Sequence, residues 1–149
     1  MIRKLNKKDF LTFQQFCFIN KKLFIVQNDQ KVFLDNEKLI KYTFNKILKS
    51  NFEGYIIDNK DCDGILLISF DYGNYHLSFD AKNLKSVNHL LKYLFWNSRI
   101  KKYNIFVNEK DRLRYVAKTY HFNYFSKNKD ELHLVCKRIK KWKQLLLTI

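Results

Sequence analysis

The 149-residue chain contains no proline, three glycines, three cysteines and one methionine. Without proline, and with so little glycine, it has no linker-like or low-complexity stretch, and no internal repeat is visible. Cys17, Cys62 and Cys136 are odd in number, widely separated and without metal-ligand spacing. That pattern argues against a disulfide framework or a zinc site and fits a reducing compartment. No run approaches the roughly 18 apolar residues of a membrane helix, and the basic N-terminus lacks the apolar core and cleavage site of a signal peptide. The expectation is a soluble, cytoplasmic protein with no metal and no membrane partner.

Acidic residues are also in short supply, 14 against 29 lysines and arginines, for a formal charge of +15. Such an excess points to polyanions, because cationic side chains neutralise phosphates and release counterions. Arginine is scarce, however: Arg3, Arg99, Arg112, Arg114 and Arg138 are the complete set, and forked reading of phosphates and guanines favours arginine over lysine. Abundant Lys, Asn, Ile and Phe also fit AT-rich coding, which raises lysine content without selection for binding. We read most of the lysines as solvated surface. A nucleic-acid stripe stays open along Lys101, Lys102, Arg112, Arg114, Lys118 and the tail from Lys137, with Lys140, Lys141 and Lys143 around Trp142 as its one stacking platform.

Hydrophobic residues make up 46% of the chain, with fourteen Phe and nine Tyr. This supplies the core of one domain over residues 1–149, with 138–149 as a basic C-terminal extension. The organising stretch is Tyr75 to Val107. Tyr75–Phe79 reads as a strand, and Asn83 caps a helix to about Trp96 whose apolar residues Leu84, Val87, Leu90, Leu91, Leu94 and Phe95 recur at helical spacing; Tyr103–Val107 reads as a second strand. Two strands joined by a helix of this length can lie parallel in one sheet, and the strand-to-helix turn exposes backbone N–H groups that can hold an anion.

Upstream, Met1–Leu5 reads as a strand. Asn6 and Asp9 then start a helix carrying Phe10, Phe13, Phe16 and Cys17 on one face. Residues Leu23 to Leu34 form either two strands around Asn28-Asp29-Gln30 or a loop between helices. Asp35 or Asn36 caps a second helix with Leu39, Ile40, Phe44, Ile47 and Leu48 as its apolar set. A meander follows: Gly54–Ile57, Ile65–Phe70, and a tight hairpin at Gly73-Asn74 into Tyr75. Downstream, Asn108 caps a helix from about Glu109 to Tyr120, strands follow at His121–Phe125 and Leu132–Lys137, and a short helix covers Ile139–Leu147.

This α/β order, with the opening Ile2-Arg3-Lys4-Leu5-Asn6-Lys7-Lys8-Asp9-Phe10, the pair Leu90-Leu91, Val107-Asn108 and Phe122, resembles the GNAT (Gcn5-related N-acetyltransferase) family over nearly the whole chain. The resemblance implies a mixed central sheet with flanking helices and acetyl-CoA held between the two splayed parallel strands. The family's Q/R-x-x-G-x-G/A turn, aligned on Leu90-Leu91, places Lys82 at the Q/R position and replaces both glycines, by Lys85 and Val87. The implied cofactor contacts are Leu77, Phe79, Lys82, Asn83, Lys85, Ser86 and Asn108. The family's tyrosine that returns a proton to the thiolate aligns with Ala117, and His121 replaces the glycine of its Gly-Phe pair; Tyr115 and Tyr120 point elsewhere on the helix. Catalytic residues are not assigned, with Asp71, Asp80 and a satisfied His76 as the local candidates for a base.

Two functions follow from different classes. One is acyl transfer from acetyl-CoA to an amine. The other is a non-catalytic binding or assembly module of this fold, for instance bacteriophage-encoded, meeting a protein or nucleic acid; loss of both glycines favours it.

Overall fold

The computed structural model describes residues 1–98, 100–108, 110–111, 118–137 and 147. Strand β1 (Ile2–Lys4) enters a 3-10 turn (Lys7–Asp9) and then α1 (Phe10–Asn20). Asn6 and Asp9 form a reciprocal capping box at that turn, which is why the helix begins there. Arg3 fixes the same corner, its guanidinium donating to both Asp9 carboxylate oxygens at 2.7 and 2.9 Å and to Asp58 at 2.8 Å.

The segment left open by its sequence is a hairpin, β2 (Phe24–Gln27) and β3 (Gln30–Phe33). Its two-residue turn, Asn28-Asp29, has φ of 52° and 61°, the doubly left-handed geometry that short polar side chains tolerate and that hairpin twist favours. After it come α2 (Glu37–Leu48), β4 (Glu53–Ile57), β5 (Gly64–Asp71), β6 (Asn74–Ala81), α3 (Leu84–Asn97), β7 (Lys102–Asn108), β8 (Asn123–Asn128) and β9 (Glu131–Lys137). The β5–β6 turn residues are Tyr72-Gly73 rather than Gly73-Asn74, since Asp71 and Asn74 are paired. In α2, Asn36 caps, accepting from Leu39 N. Leu48, expected in the apolar set, lies on the exposed side instead. Of the late helix, Lys110, Asp111 and Lys118–Tyr120 are described; Glu109, Arg112, Arg114, Tyr115 and Ala117 lie outside the described residues, as do Arg138, Lys140, Lys141, Trp142 and Lys143.

The main sheet runs β1-β4-β5-β6-β7-β9-β8. All neighbours are antiparallel except β6 and β7, which are parallel as their spacing implies. Alternation along the strands separates two cores. Leu66, Ile68, Leu77, Phe79, Tyr103 and Ile105 pack on one side against Val87, Leu90, Leu91, Leu94 and Phe95 of α3. Ile56, Ile65 and Leu67 pack on the other against α1, α2 and the hairpin. No described helix is long and apolar enough to cross a membrane.

Candidate functional site

Strands β6 and β7 pair only from Tyr75 to Leu77 with Tyr103 to Ile105, yet β6 continues to Ala81 and β7 to Asn108. Beyond Leu77 the two strands diverge, so their facing edges have no strand partner. A cavity of about 310 Å³ lies at this divergence, lined by Leu77, Ser78 and Phe79 from one strand and by Ile105 to Asn108 from the other. Lys22, Phe24, Lys31, Phe33, Asp111 and Glu131 complete it. A larger depression, about 830 Å³, opens at the opposite end of the sheet among Lys4, Glu53, Tyr55, Tyr93 and Lys101-Lys102. There β6 and β7 are fully paired, and ligands of open α/β sheets gather at the carboxyl ends of parallel strands. The smaller cavity therefore has the geometry of a site.

The hairpin forms one wall. Its first strand lies across the sheet with alternate N–H groups turned toward side chains below it. Phe24 N donates to Ser78 Oγ at 2.9 Å, Val26 N to Ser69 Oγ at 3.2 Å, and Asn28 N and Asp29 N to the Asp71 carboxylate at 3.3 and 3.0 Å. These contacts stand in for a strand ladder and satisfy backbone donors that would otherwise be buried unpaired. From β3, Lys31 Nζ reaches into the cavity. It donates to Phe106 O at 3.2 Å, pairs with Glu131 at 3.4 Å and sits 4.4 Å above the Phe24 ring and 5.4 Å from the Phe33 ring centroid.

Of the residues expected to touch cofactor, Leu77, Phe79 and Asn108 line this cavity. Asn83 and Ser86 are bound to each other, Asn83 Oδ1 accepting from Ser86 N at 2.9 Å, so the cap itself takes one helix N–H. Lys82 faces a separate depression beside α1, with Thr12, Gln15, Lys60 and Asp63. Lys85 is exposed in the first turn of α3, which carries no acidic residue; this turn is left cationic at its electropositive end, an unfavourable placement that an anion would offset. Val87 points into the core, so its side chain does not cover the outer face of that turn.

The base candidates separate clearly. Asp71 is committed to the hairpin turn. Asp80 is half-buried; burial pushes its carboxyl up against the pull of Lys22. His76, expected to be satisfied, is buried beneath the hairpin, with neither ring nitrogen bonded to a described residue. Tyr120 lies in the α3 core, its hydroxyl donating to Asn88 Oδ1 at 2.8 Å and its pKa pushed up by burial to about 12; it is not among the residues lining the cavity. His121 has φ 62°, the left-handed conformation that explains glycine at its aligned position. Phe122 behind it is buried. Burial holds the Cys17 and Cys136 thiols up to about 12 and Cys62 up to about 11, which removes them as ready nucleophiles. No cluster with metal-ligand potential occurs among the described residues. Of the basic stripe, Lys101, Lys102, Lys118 and Lys137 are described and exposed, and Lys102 and Lys137 sit opposite one another on β7 and β9.

The element order, the single parallel pair and the divergence beyond it define the fold of the GNAT N-acetyltransferases. No protein-family model matches the sequence, and no curated protein matches it. Solved structures do match in fold. Spermidine N-acetyltransferase from Vibrio cholerae in complex with CoA and spermine is 12% identical, with 96% of this chain and 97% of that one covered at a TM-score of 0.65. An N-acetyltransferase from Staphylococcus aureus Mu50 is 15% identical over 92% and 96%, TM-score 0.64. RimJ from Mycobacterium smegmatis, in complex with CoA-disulfide, is 9% identical over 99% and 87%, TM-score 0.66. At these identities the likeness is one of fold.

Proposed function

We propose that the chain binds an acyl-coenzyme A at the divergence of β6 and β7 and transfers the acyl group to an amine. The observation that carries this reading is the register of the two strands, which stops at Leu77 and Ile105 and leaves two unpaired edges around a cavity. Backbone groups on Ser78–Ala81 can pair with the amides of a pantetheine arm as a third strand would. The first turn of α3, with the exposed Lys85 in it, supplies positive potential for the phosphates. Coenzyme A contributes an activated thioester; the protein contributes alignment of that carbonyl with the attacking nitrogen, worth several kcal/mol on its own (about 7–11 in favourable systems). Solved neighbours of the same fold include complexes with CoA, which supports the cofactor class.

Calorimetric titration with acetyl-CoA tests the reading. Micromolar binding, weakened when Lys85 is replaced by Glu, is the expected result; no heat at millimolar cofactor would end it. The second reading is a non-catalytic module of the same fold, and the observation in its favour is the Asn83 side chain holding the Ser86 N–H where phosphate oxygens would bind. A nucleic-acid partner for such a module would show as binding that falls steeply with added salt.

A further inference from the structure

The Lys31 ammonium occupies a position prepared for a primary amine. A carbonyl (Phe106), a carboxylate (Glu131) and two aromatic rings (Phe24 and Phe33) surround it, the set of groups that recognises an alkylammonium by charge, hydrogen bond and cation–π attraction together. Its side chain is 18% exposed. The position is at the divergence of the parallel strands, in the same cavity as Ser78 and Phe79. Lys22, the other lysine lining that cavity, is exposed at its rim. Lysine is ordinarily a solvated point charge on a flexible stem, and most of the described lysines are exposed. The hairpin, anchored by Ser69, Ser78 and Asp71, holds this one in the cleft.

We propose that Lys31 is an acyl acceptor: the chain acylates its own Lys31 Nζ, resting on the acyl-coenzyme A reading above. The Lys31 ammonium gives one proton to the Glu131 carboxylate, its neighbour at 3.4 Å. The freed nitrogen lone pair forms a bond to the thioester carbonyl carbon and the carbon–sulfur bond breaks. The sulfur leaves with that electron pair as thiolate and is protonated from solvent, and the second nitrogen proton is lost to solvent as the amide forms. The product keeps one N–H for Phe106 O but has no charge. The ion pair with Glu131 and the cation–π contact with Phe24 are therefore lost, and the chain is modified once rather than turning over at this residue.

The test is to incubate the full chain with acetyl-CoA, follow occupancy of each lysine by peptide mass spectrometry, and titrate the same sample by calorimetry. Lys31 is expected to be acylated at least about tenfold faster than Lys22, Lys38 or Lys49, with Glu131→Gln slowing Lys31 alone by about a hundredfold, the range of a positioned general base. Lys31→Arg should bind acetyl-CoA and gain no acyl group at position 31. Binding without preferential modification of Lys31, or the same preference in the urea-unfolded chain, overturns the proposal. Absence of binding in the parent chain overturns the cofactor reading and this one with it, a result the titration distinguishes from the others.

Discussion

Replacing His76 with Phe should make the protein more stable and less sensitive to acid. Strand alternation puts His76 on the sheet face under the hairpin, where it is 4% exposed. Neither ring nitrogen has a hydrogen-bond partner among the described residues, and the ring stacks on Phe106 at 5.6 Å with 17° between planes. A buried polar group left unpaired costs about 1–3 kcal/mol. A phenyl ring keeps the stack and removes that cost, at a packing penalty of about 1 kcal/mol for its extra volume. The net expectation is a gain of about 1 kcal/mol at neutral pH. Burial also holds the imidazole below its ordinary pKa of 6.5, reinforced by His133 and opposed by Asp71 and Asp29. The unfolded chain therefore takes up a proton that the folded one resists. Stability is lost as pH falls below 6.5, by at most about 1.4 kcal/mol per pH unit for this residue, until the folded pKa is reached. His133, also shifted downward by burial, retains its share in the variant. Urea titrations above and below pH 6.5 read both effects. A variant that is less stable at neutral pH, with the acid limb unchanged, would show that His76 is satisfied in the folded protein.

Ser78→Ala should cost about 1–2 kcal/mol in urea unfolding by leaving Phe24 N, buried in the hairpin, without its acceptor; Ser126→Ala, on an exposed strand, serves as a near-neutral control. Gly64→Ala places a Cβ 2.9 Å from Leu90 Cδ1, 3.0 Å from Ala81 Cβ and 3.1 Å from Ile57 Cδ1, so the Leu90 side chain must move and the neighbouring strands must give, with an expected loss of about 1–3 kcal/mol read by thermal melting. Arg3→Ala removes the cation that holds the Asp9 carboxyl below its ordinary 3.8. The contribution of this partly exposed pair, about 1–2 kcal/mol, is present above pH 3.8 and lost as pH falls through the folded pKa, so the variant should be weaker at neutral pH and converge on the parent in acid.

The unit β6–α3–β7 was legible because its signals are local: an Asn cap, apolar residues at helical spacing, and two strand-like runs joined by a helix long enough for a parallel crossover. The splay between the strands was not written locally; it was implied by the fold resemblance. The cleft wall was hidden for a different reason. Whether Leu23–Leu34 makes a hairpin depends on acceptors at Ser69 and Ser78, 43 and 54 residues from the N–H groups they bind. The available signal was polar serine within otherwise apolar buried strands, which marks a donor arriving from across the face. Lys31 and Glu131, one hundred residues apart, carry no spacing that a sequence pattern can show. Lys82 illustrates the converse: its aligned position suggested phosphate, but the turn carries it toward α1. Leu48 kept the helical period and is nonetheless exposed, because the core beneath α2 ends at Ile47.

Amide hydrogen exchange with and without acetyl-CoA reports whether acyl-coenzyme A lies between the diverging edges of β6 and β7. Slowed exchange is expected at Ser78–Ala81, at Phe106–Asn108 and in the first turn of α3, with the paired residues Tyr75–Leu77 unchanged. Unaltered exchange at both edges under saturating cofactor, or protection confined to the depression around Glu53 and Tyr93, would contradict it.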